Sequence, residues 1–200
     1  NENSLGYAVV GTVSGTSITF GSRVQFNDND AYDLQAVYDD NEGKVVAAFR
    51  DDGNSRYGTV IAGTVSGSTI TFGAKAVYRS QYLNESSIAY DSIDGKYLFG
   101  FSISGNYPRV LAGTLSGSTW TFGASVTITS TSAAAIQSVA TSGSTFLYLY
   151  RDNSASAEGR AYVISLSGTT VSVGGSANFG TLYDGGELSL SYESKEAVTA

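Results

Sequence analysis

The 200-residue chain holds 24 Gly, 14 Tyr and 9 Phe but no Cys, Met or His, is 42% apolar and carries a net charge of −7. Without cysteine there is no disulfide scaffold or thiolate metal centre, and without histidine no Ser-His-Asp triad, no His-ligated zinc and no ordinary switch near neutral pH. Eleven scattered Lys and Arg make no basic footprint for nucleic acid, no apolar run approaches a membrane span, and a chain of this size and apolar content can bury a core. Asn1 at the start, the lack of Met and the lack of a signal-like segment suggest a processed chain or a piece of a longer one.

The chain opens on an apolar strand over residues 5–13, followed by Val13-Ser-Gly-Thr-Ser-Ile-Thr-Phe-Gly21. That phrase returns at 65–73, 115–123 and 166–174, its closing glycines 52, 50 and 51 residues apart. In each copy a strand ends at Val or Leu, Ser-Gly makes a tight turn, and apolar residues then alternate with Thr or Ser, which predicts a hairpin with one buried face. Between hairpins two more strands recur. Strand A covers 34–39, 86–91, 136–141 and 188–193. Turns such as Asn41-Glu-Gly-Lys44 and Ile93-Asp-Gly-Lys96 lead to strand B at 45–49, 97–101, 146–150 and 196–200. In the first three copies B is apolar on both alternate faces, so it is expected to be covered on both sides. Strand C then covers 57–65, 109–115, 160–166 and 5–13, and the Ser-Gly hairpin links C to D.

Four antiparallel strands repeated every fifty-odd residues predict an all-β protein, a β-propeller of four four-stranded antiparallel blades at 31–73, 84–123, 135–174 and 187–200 plus 1–21. A solenoid would repeat at a shorter period, and a sandwich would not recur in near-equal units. The ring either closes by pairing the N-terminal C–D strands with the C-terminal A–B strands, or the chain is an arc of a larger propeller. No helix with periodicity and caps is expected.

The stretch Gly43-Lys-Val-Val-Ala-Ala-Phe-Arg-Asp-Asp-Gly-Asn-Ser-Arg-Tyr-Gly-Thr-Val-Ile-Ala-Gly-Thr-Val-Ser-Gly-Ser-Thr-Ile-Thr-Phe-Gly73 resembles a tandem-repeat family of structural and tail-associated proteins of tailed, particularly marine, bacteriophages and of bacterial surface proteins. The likeness covers nearly the whole chain. It implies a virion-surface or extracellular binding module and assigns no catalytic residues. Ser116-Gly-Ser-Thr-Trp120 is also similar to a degenerate Asp-box of sialidase-like blades, although no copy carries the box's Asp.

On a propeller the B–C and D–A loops share one face, and these vary from copy to copy while the C–D turn is stereotyped, so that face is the expected binding surface. Its candidates are Asp28, Asp30 and Tyr32; Arg50, Asp51, Asp52 and Asn54; Arg79, Gln81, Tyr82 and Asn84; Arg151, Asp152 and Asn153; and Tyr183 and Asp184. Tyrosine faces stack on sugar C–H patches while carboxylates and amides take hydroxyls, so cell-surface glycan is the expected ligand. Arg50-Asp51 and Arg151-Asp152 recur at the end of strand B, either aimed at an acidic sugar or, as the favoured reading, paired internally to fix the loop. Asp39/Asp40, Asp51/Asp52 and Asp28/Asp30 are adjacent or near-adjacent carboxylates that diverge along a strand or turn and make weak glycosidase pairs without a partner from another blade. Asp39-Asp-Asn-Glu-Gly43 and Asn27-Asp-Asn-Asp30 match no established calcium loop and read as turn chemistry. Asn84-Glu-Ser86 fits a glycosylation sequon. The expectation is a non-catalytic recognition module on a virion or exported protein, without cofactor, metal, nucleic acid or membrane insertion, whose other partners are virion or surface-protein subunits. The alternatives are a purely structural repeat and, behind it, a sialidase-like hydrolase.

Overall fold

The computed structural model describes residues 5–103, 105–154, 157–182 and 188–191. The expected strand over 196–200, most of that over 188–193, and the candidates Tyr183 and Asp184 lie outside the described residues. The protein is all-β. In chain order the strands are β1 (Leu5–Ala8), β2 (Gly11–Ser14), β3 (Ser17–Phe20), β4 (Val24–Asp39), β5 (Lys44–Asp51), β6 (Tyr57–Ser66), β7 (Thr69–Phe72), β8 (Ala76–Asp91), β9 (Lys96–Ile103), β10 (Pro108–Ser116), β11 (Thr119–Phe122), β12 (Val126–Thr127), β13 (Ala133–Ser142), β14 (Thr145–Asp152), β15 (Glu158–Ser167) and β16 (Thr170–Thr181). Among the described residues a single 3₁₀ turn, Asp52–Asn54, is capped by the Asp51 carboxylate accepting from the Gly53 N–H.

All pairing is antiparallel, and sequence neighbours pair with one another. The last part of β4 with β5, β6 and β7 forms one A–B–C–D unit, the last part of β8 with β9, β10 and β11 a second, and β13–β14–β15–β16 a third. The strands β1, β2, β3 and the start of β4 make a C–D pair. The described strands do not close into a barrel.

Strand D differs from the sequence expectation. It breaks after the closing glycine and resumes: β4 begins by pairing with β1 (Ala8 opposite Val24), and β8 begins by pairing with β6 (Val60 opposite Ala76). Each of these long strands then runs on, without a loop, into strand A of the next unit. Asp28, Asp30, Tyr32, Arg79, Gln81 and Tyr82, expected in loops, therefore lie in strands. Where turn residues were expected, β4 passes directly from β1 (Asp30 opposite Leu5) to β5 (Ala31 opposite Asp51) and β8 from β6 (Tyr82 opposite Tyr57) to β9 (Leu83 opposite Ile103), and register shifts follow at once, between Tyr32 and Gln35 in β4 and between Leu83 and Glu85 in β8. The same shift recurs in β13 between Ala134 and Gln137.

The sheets stack face to face, because strand B is apolar on both faces and the side-chain period of two sends alternate residues to opposite neighbours. Val46 and Ala48 of β5 join Tyr97, Phe99 and Phe101 of β9 in one core, while Ala47 and Phe49 face Phe26 and Ile61. Leu98 of β9 faces the other way, against Phe146 and Tyr148 of β14. The repeated phrase is explained at two positions. Gly15, Gly67, Gly117 and Gly168 have φ of +57° to +59° at the first of two turn residues, where any Cβ would be strained. The closing Gly21 and Gly123 have ordinary φ, but a Cβ there would collide with the carbonyl oxygens of Ser68 and Thr169, in the hairpin of the following unit.

Units are tied where strand A ends. Asp39 is buried and accepts hydrogen bonds from Tyr90 Oη (2.6 Å) and Tyr97 Oη of the next unit, and from the Glu42 N–H (2.9 Å). Asp91, at the equivalent place one unit later, accepts from the Ser144 N–H (2.6 Å) of the third unit and the Ile93 N–H (3.1 Å).

Candidate functional site

The A strands begin around a cavity of about 570 Å³. Asp33 and Gln35 from β4, Glu85 and Ser86 from β8, Ile136 and Gln137 from β13, and Leu188 line it together with Arg151, at the end of β14. Residues from all four repeat copies thus meet in one place. The register shifts of β4, β8 and β13 fall at this point. They matter because a bulge re-aims side chains that regular alternation would send elsewhere.

Two carboxyls from neighbouring units stand in this lining. Glu85 accepts the Ile136 N–H at 2.9 Å, bridging to the third unit; burial raises its pKa, the bonds from the Ile136 and Ala135 amides oppose the rise, and the nearby Asp33 charge adds to it. Asp33 lies 3.4 Å from Arg50 Nη1, and burial again raises its pKa against the pull of Arg50. In both groups burial disfavours the charged form, against the pull of their partners. Across the cavity Gln35 Nε2 donates to Gln137 Oε1 (3.2 Å) while Gln35 Oε1 accepts the Ile88 N–H (3.3 Å). A second cavity of about 310 Å³, lined by the same two glutamines with Val37, Tyr90, Val139 and Leu190, continues along the A strands. The carboxamide pair sits at the junction of the two.

The rim is a ladder of rings and guanidiniums. Arg50 lies 4.6 Å from the Tyr32 ring centroid and Arg56 lies 5.0 Å from that of Tyr82; Arg50 Nε (3.0 Å) and Arg56 Nε (3.2 Å) both donate to Asp52. Tyr32 and Tyr82 remain 38% and 42% exposed. Tyr32 Oη donates to Asp30 (3.1 Å), and Arg56 donates to Tyr82 Oη (2.8 Å). Arg50 joins the rim to the cavity, since it holds both Asp52 and Asp33.

The sequence candidates fall into three groups. Arg151 and Asn84 line the cavity, and Arg151 Nε donates to Asn153 (3.0 Å). Asp30, Tyr32, Arg50, Asp52 and Tyr82 form the rim; Asn54 is exposed beyond it, and Arg79 turns to Gln81 and Ser125. Asp51 and Asp152 are buried loop-fixing acceptors: Asp51 takes Asn27 Nδ2, the Gly53 N–H and Lys75 Nζ, and Asp152 takes the Ser154 N–H and Oγ. Asp28 is exposed beside Lys75 (3.6 Å). The internal Arg pair is therefore Arg50 with Asp52 rather than Asp51. The sequence reading missed Asp33, Glu85, Gln35 and Gln137. Aligning the copies would have exposed the first two, because Asp33 and Glu85 occupy equivalent positions one period apart, just before strand A.

Carboxyls, carboxamides and a guanidinium around one cavity can donate to and accept from several hydroxyls at once. Among the described residues no group of three or more His, Cys, Asp or Glu is placed to hold a metal ion, and no helix is long and apolar enough to cross a membrane. No protein-family model matches the chain, and no curated protein is similar to it.

Proposed function

We propose that the repeat units are the blades of a β-propeller and that the chain is a non-catalytic recognition module which takes a cell-surface glycan at the mouth where the A strands begin. The observation that carries this reading is the cavity where residues of three A strands meet Leu188 of the fourth copy. Face-to-face stacking of successive sheets supports the radial arrangement. The mixed donors and acceptors of the lining suit a polyhydroxylated ligand, and the exposed Tyr32 and Tyr82 of the rim offer aromatic faces for sugar C–H patches. An exported or virion-surface setting follows from the repeat resemblance.

The experiment is a glycan array followed by calorimetry on the hits. Glu85→Gln and Tyr32→Ala are expected to weaken binding tenfold or more by roughly 1.4 kcal/mol per decade, while Ile93→Ser, at the far end of strand A, leaves it unchanged. A blank array with a folded protein favours the structural repeat. One observation favours hydrolysis as a second reading: Asp33 and Glu85 bring carboxyls from two units into one cavity lining, where a glycosidase would need one of them protonated as general acid and the other ionised. Release of fluorophore from a glycoside, lost in both Glu85→Gln and Asp33→Asn, would select it.

A further inference from the structure

Successive C–D hairpins meet at three junctions among the described residues, and one of the three differs. Where the N-terminal pair meets the first unit, and where the second unit meets the third, the closing glycine of one hairpin lies against the turn of the next: a Cβ on Gly21 or Gly123 would collide with the carbonyl oxygen of Ser68 or Thr169. Between the first and second units the equivalent Gly73 has no atom of the next hairpin within 4 Å of that position. A cavity of about 220 Å³ stands there instead, lined by Ala62, Thr64 and Ala74 of the first unit, Ser118 and Trp120 of the second, and Lys44. The A–B turns account for the difference. Glu42 and Lys44 of the first unit both hold Gly117 in the second unit's hairpin turn: Glu42 Oε2 accepts the Gly117 N–H (3.1 Å) and Lys44 Nζ donates to the Gly117 carbonyl. One unit on, the equivalent Asp94 and Lys96 are engaged by Ser144, whose Oγ donates to Asp94 (2.5 Å) and accepts from Lys96 Nζ (2.6 Å). The turn at Gly117 is thus drawn away from Gly73, while the turn at Gly168 settles against Gly123.

At this one open junction stands the chain's single tryptophan, at a position where the other copies have Ile18, Ile70 and Val171. Trp120 is half-buried, braced by Phe122 (5.7 Å between ring centroids, 8° between planes) and by Tyr97 (5.1 Å). Among the described residues neither its indole N–H nor the hydroxyls of Thr64 and Ser118 have a hydrogen-bond partner. We propose that the cavity is a second ligand site and takes a single pyranose ring, with sugar C–H groups against the indole and the alanine methyls, and sugar hydroxyls on the indole N–H, Thr64 and Ser118. An apolar ligand would leave those three polar groups dry and unpaired. An anion would need a free cation, whereas Lys44 is already held by the Gly117 carbonyl and by Glu42 (3.5 Å). Pockets for drug-sized ligands run to roughly 300–1,000 Å³, so this smaller one suits one ring rather than an extended chain. The A–B and C–D turns lie at the ends of the strands opposite the mouth, and this site does not rest on the reading of the mouth.

Because Trp120 is the one tryptophan, its fluorescence reports this cavity without background. The probes are the methyl α-glycosides of glucose, galactose, mannose and N-acetylglucosamine, each titrated through the millimolar range. At least one is expected to give a saturable change. Gly73→Val, which fills the cavity from a position with open space around it, is expected to weaken that titration about tenfold or more, while Glu85→Gln at the mouth leaves it within about twofold. No saturable change with any probe overturns the proposal, as does a change that survives Gly73→Val. A change that Glu85→Gln removes also overturns it and places the sugar in the mouth. Should Gly73→Val fail to fold, Trp120→Ile takes its place with calorimetry as the readout; binding is again expected to weaken about tenfold, and unaltered binding overturns the proposal. The open junction is tested without ligand. Gly123→Ala is expected to lower the Tm by about 4 °C or more, and Gly73→Ala by less than about 1 °C. Equal losses would show the junction closed and remove the site.

Discussion

Carboxyl groups stand at both ends of the A strands, with opposite surroundings. At the far end Asp39 and Asp91 are buried with two or three donors each, several reaching in from the next unit. At the mouth Asp33 is exposed beside Arg50, while Glu85 is partly buried and accepts the Ile136 and Ala135 amides, and loss of hydration raises the pKa of both. A buried carboxylate with its donors satisfied locks a structure, whereas one that loses water without full compensation keeps hydrogen-bonding capacity for something else. The difference separates an end whose carboxylates tie one unit to the next from an end whose carboxyls also line a cavity.

The comparison breaks most visibly at Asp39. Asp39→Ala leaves the hydroxyls of Tyr90 and Tyr97, the latter fully buried, without their acceptor. The expected loss is about 3 kcal/mol in urea unfolding, since each hydrogen bond to a charged group contributes roughly 1.5–3 kcal/mol and orphaned donors add a desolvation cost. A loss below about 1 kcal/mol would mean that the far end is not the lock. Asp91→Ala is expected to cost less, about 2 kcal/mol, because the amides it releases, Ser144 and Ile93, include one in a surface turn that water can reach.

Much of this was legible in the residues. The period, the hairpins and the doubly apolar B strands follow from local rules: glycine at positive φ, alternation with period two, turn residues at fixed offsets. The Asp39 tie was not, since Asp39-Asp-Asn-Glu-Gly43 looks like turn chemistry until Tyr90 and Tyr97, fifty-odd positions away, are brought against it. The mouth was half legible. Polar residues around the hand-over from D to A were singled out as a group, but Asp51 and Asp152, selected by their charge, are spent on fixing loops, while Asp33 and Glu85 reach the cavity beside bulges. A bulge carries no composition signal here, because the residues at the three shifts differ: Asp33-Leu34, Asn84 and Ala135-Ile136.

At the mouth the prediction is one of sign. Folding raises the pKa of Asp33 and Glu85, so above the ordinary carboxyl range, from about pH 4 upward, the folded state binds more protons than the unfolded chain. Stability contributed by these groups therefore falls as pH rises through that window and returns on acidification. Asp33→Asn and Glu85→Gln keep the shape without the charge. Each is expected to change stability at pH 7 by less than about 1 kcal/mol, with any change toward greater stability, and to flatten that part of the profile. A Glu85→Gln protein destabilised as much as Asp39→Ala would erase the distinction between the two ends.

The smallest effect is expected where the two ends meet. Gln35 and Gln137 join the first and third units through one carboxamide bond at 3.2 Å, between two water-accessible cavities. Neither amide is sealed from solvent, so water can replace the lost partner, and a neutral hydrogen bond contributes about 1 kcal/mol at most in such a place. Gln137→Ala should cost about 0.5 kcal/mol, and a double-mutant cycle with Gln35→Ala should give a coupling of similar size. A coupling several times larger would make the pair a strut across the cavity, and the mouth would then owe its shape to that bond as well as to the bulges. A coupling near zero would leave the bulges and the Glu85 bond to Ile136 as the features that set it.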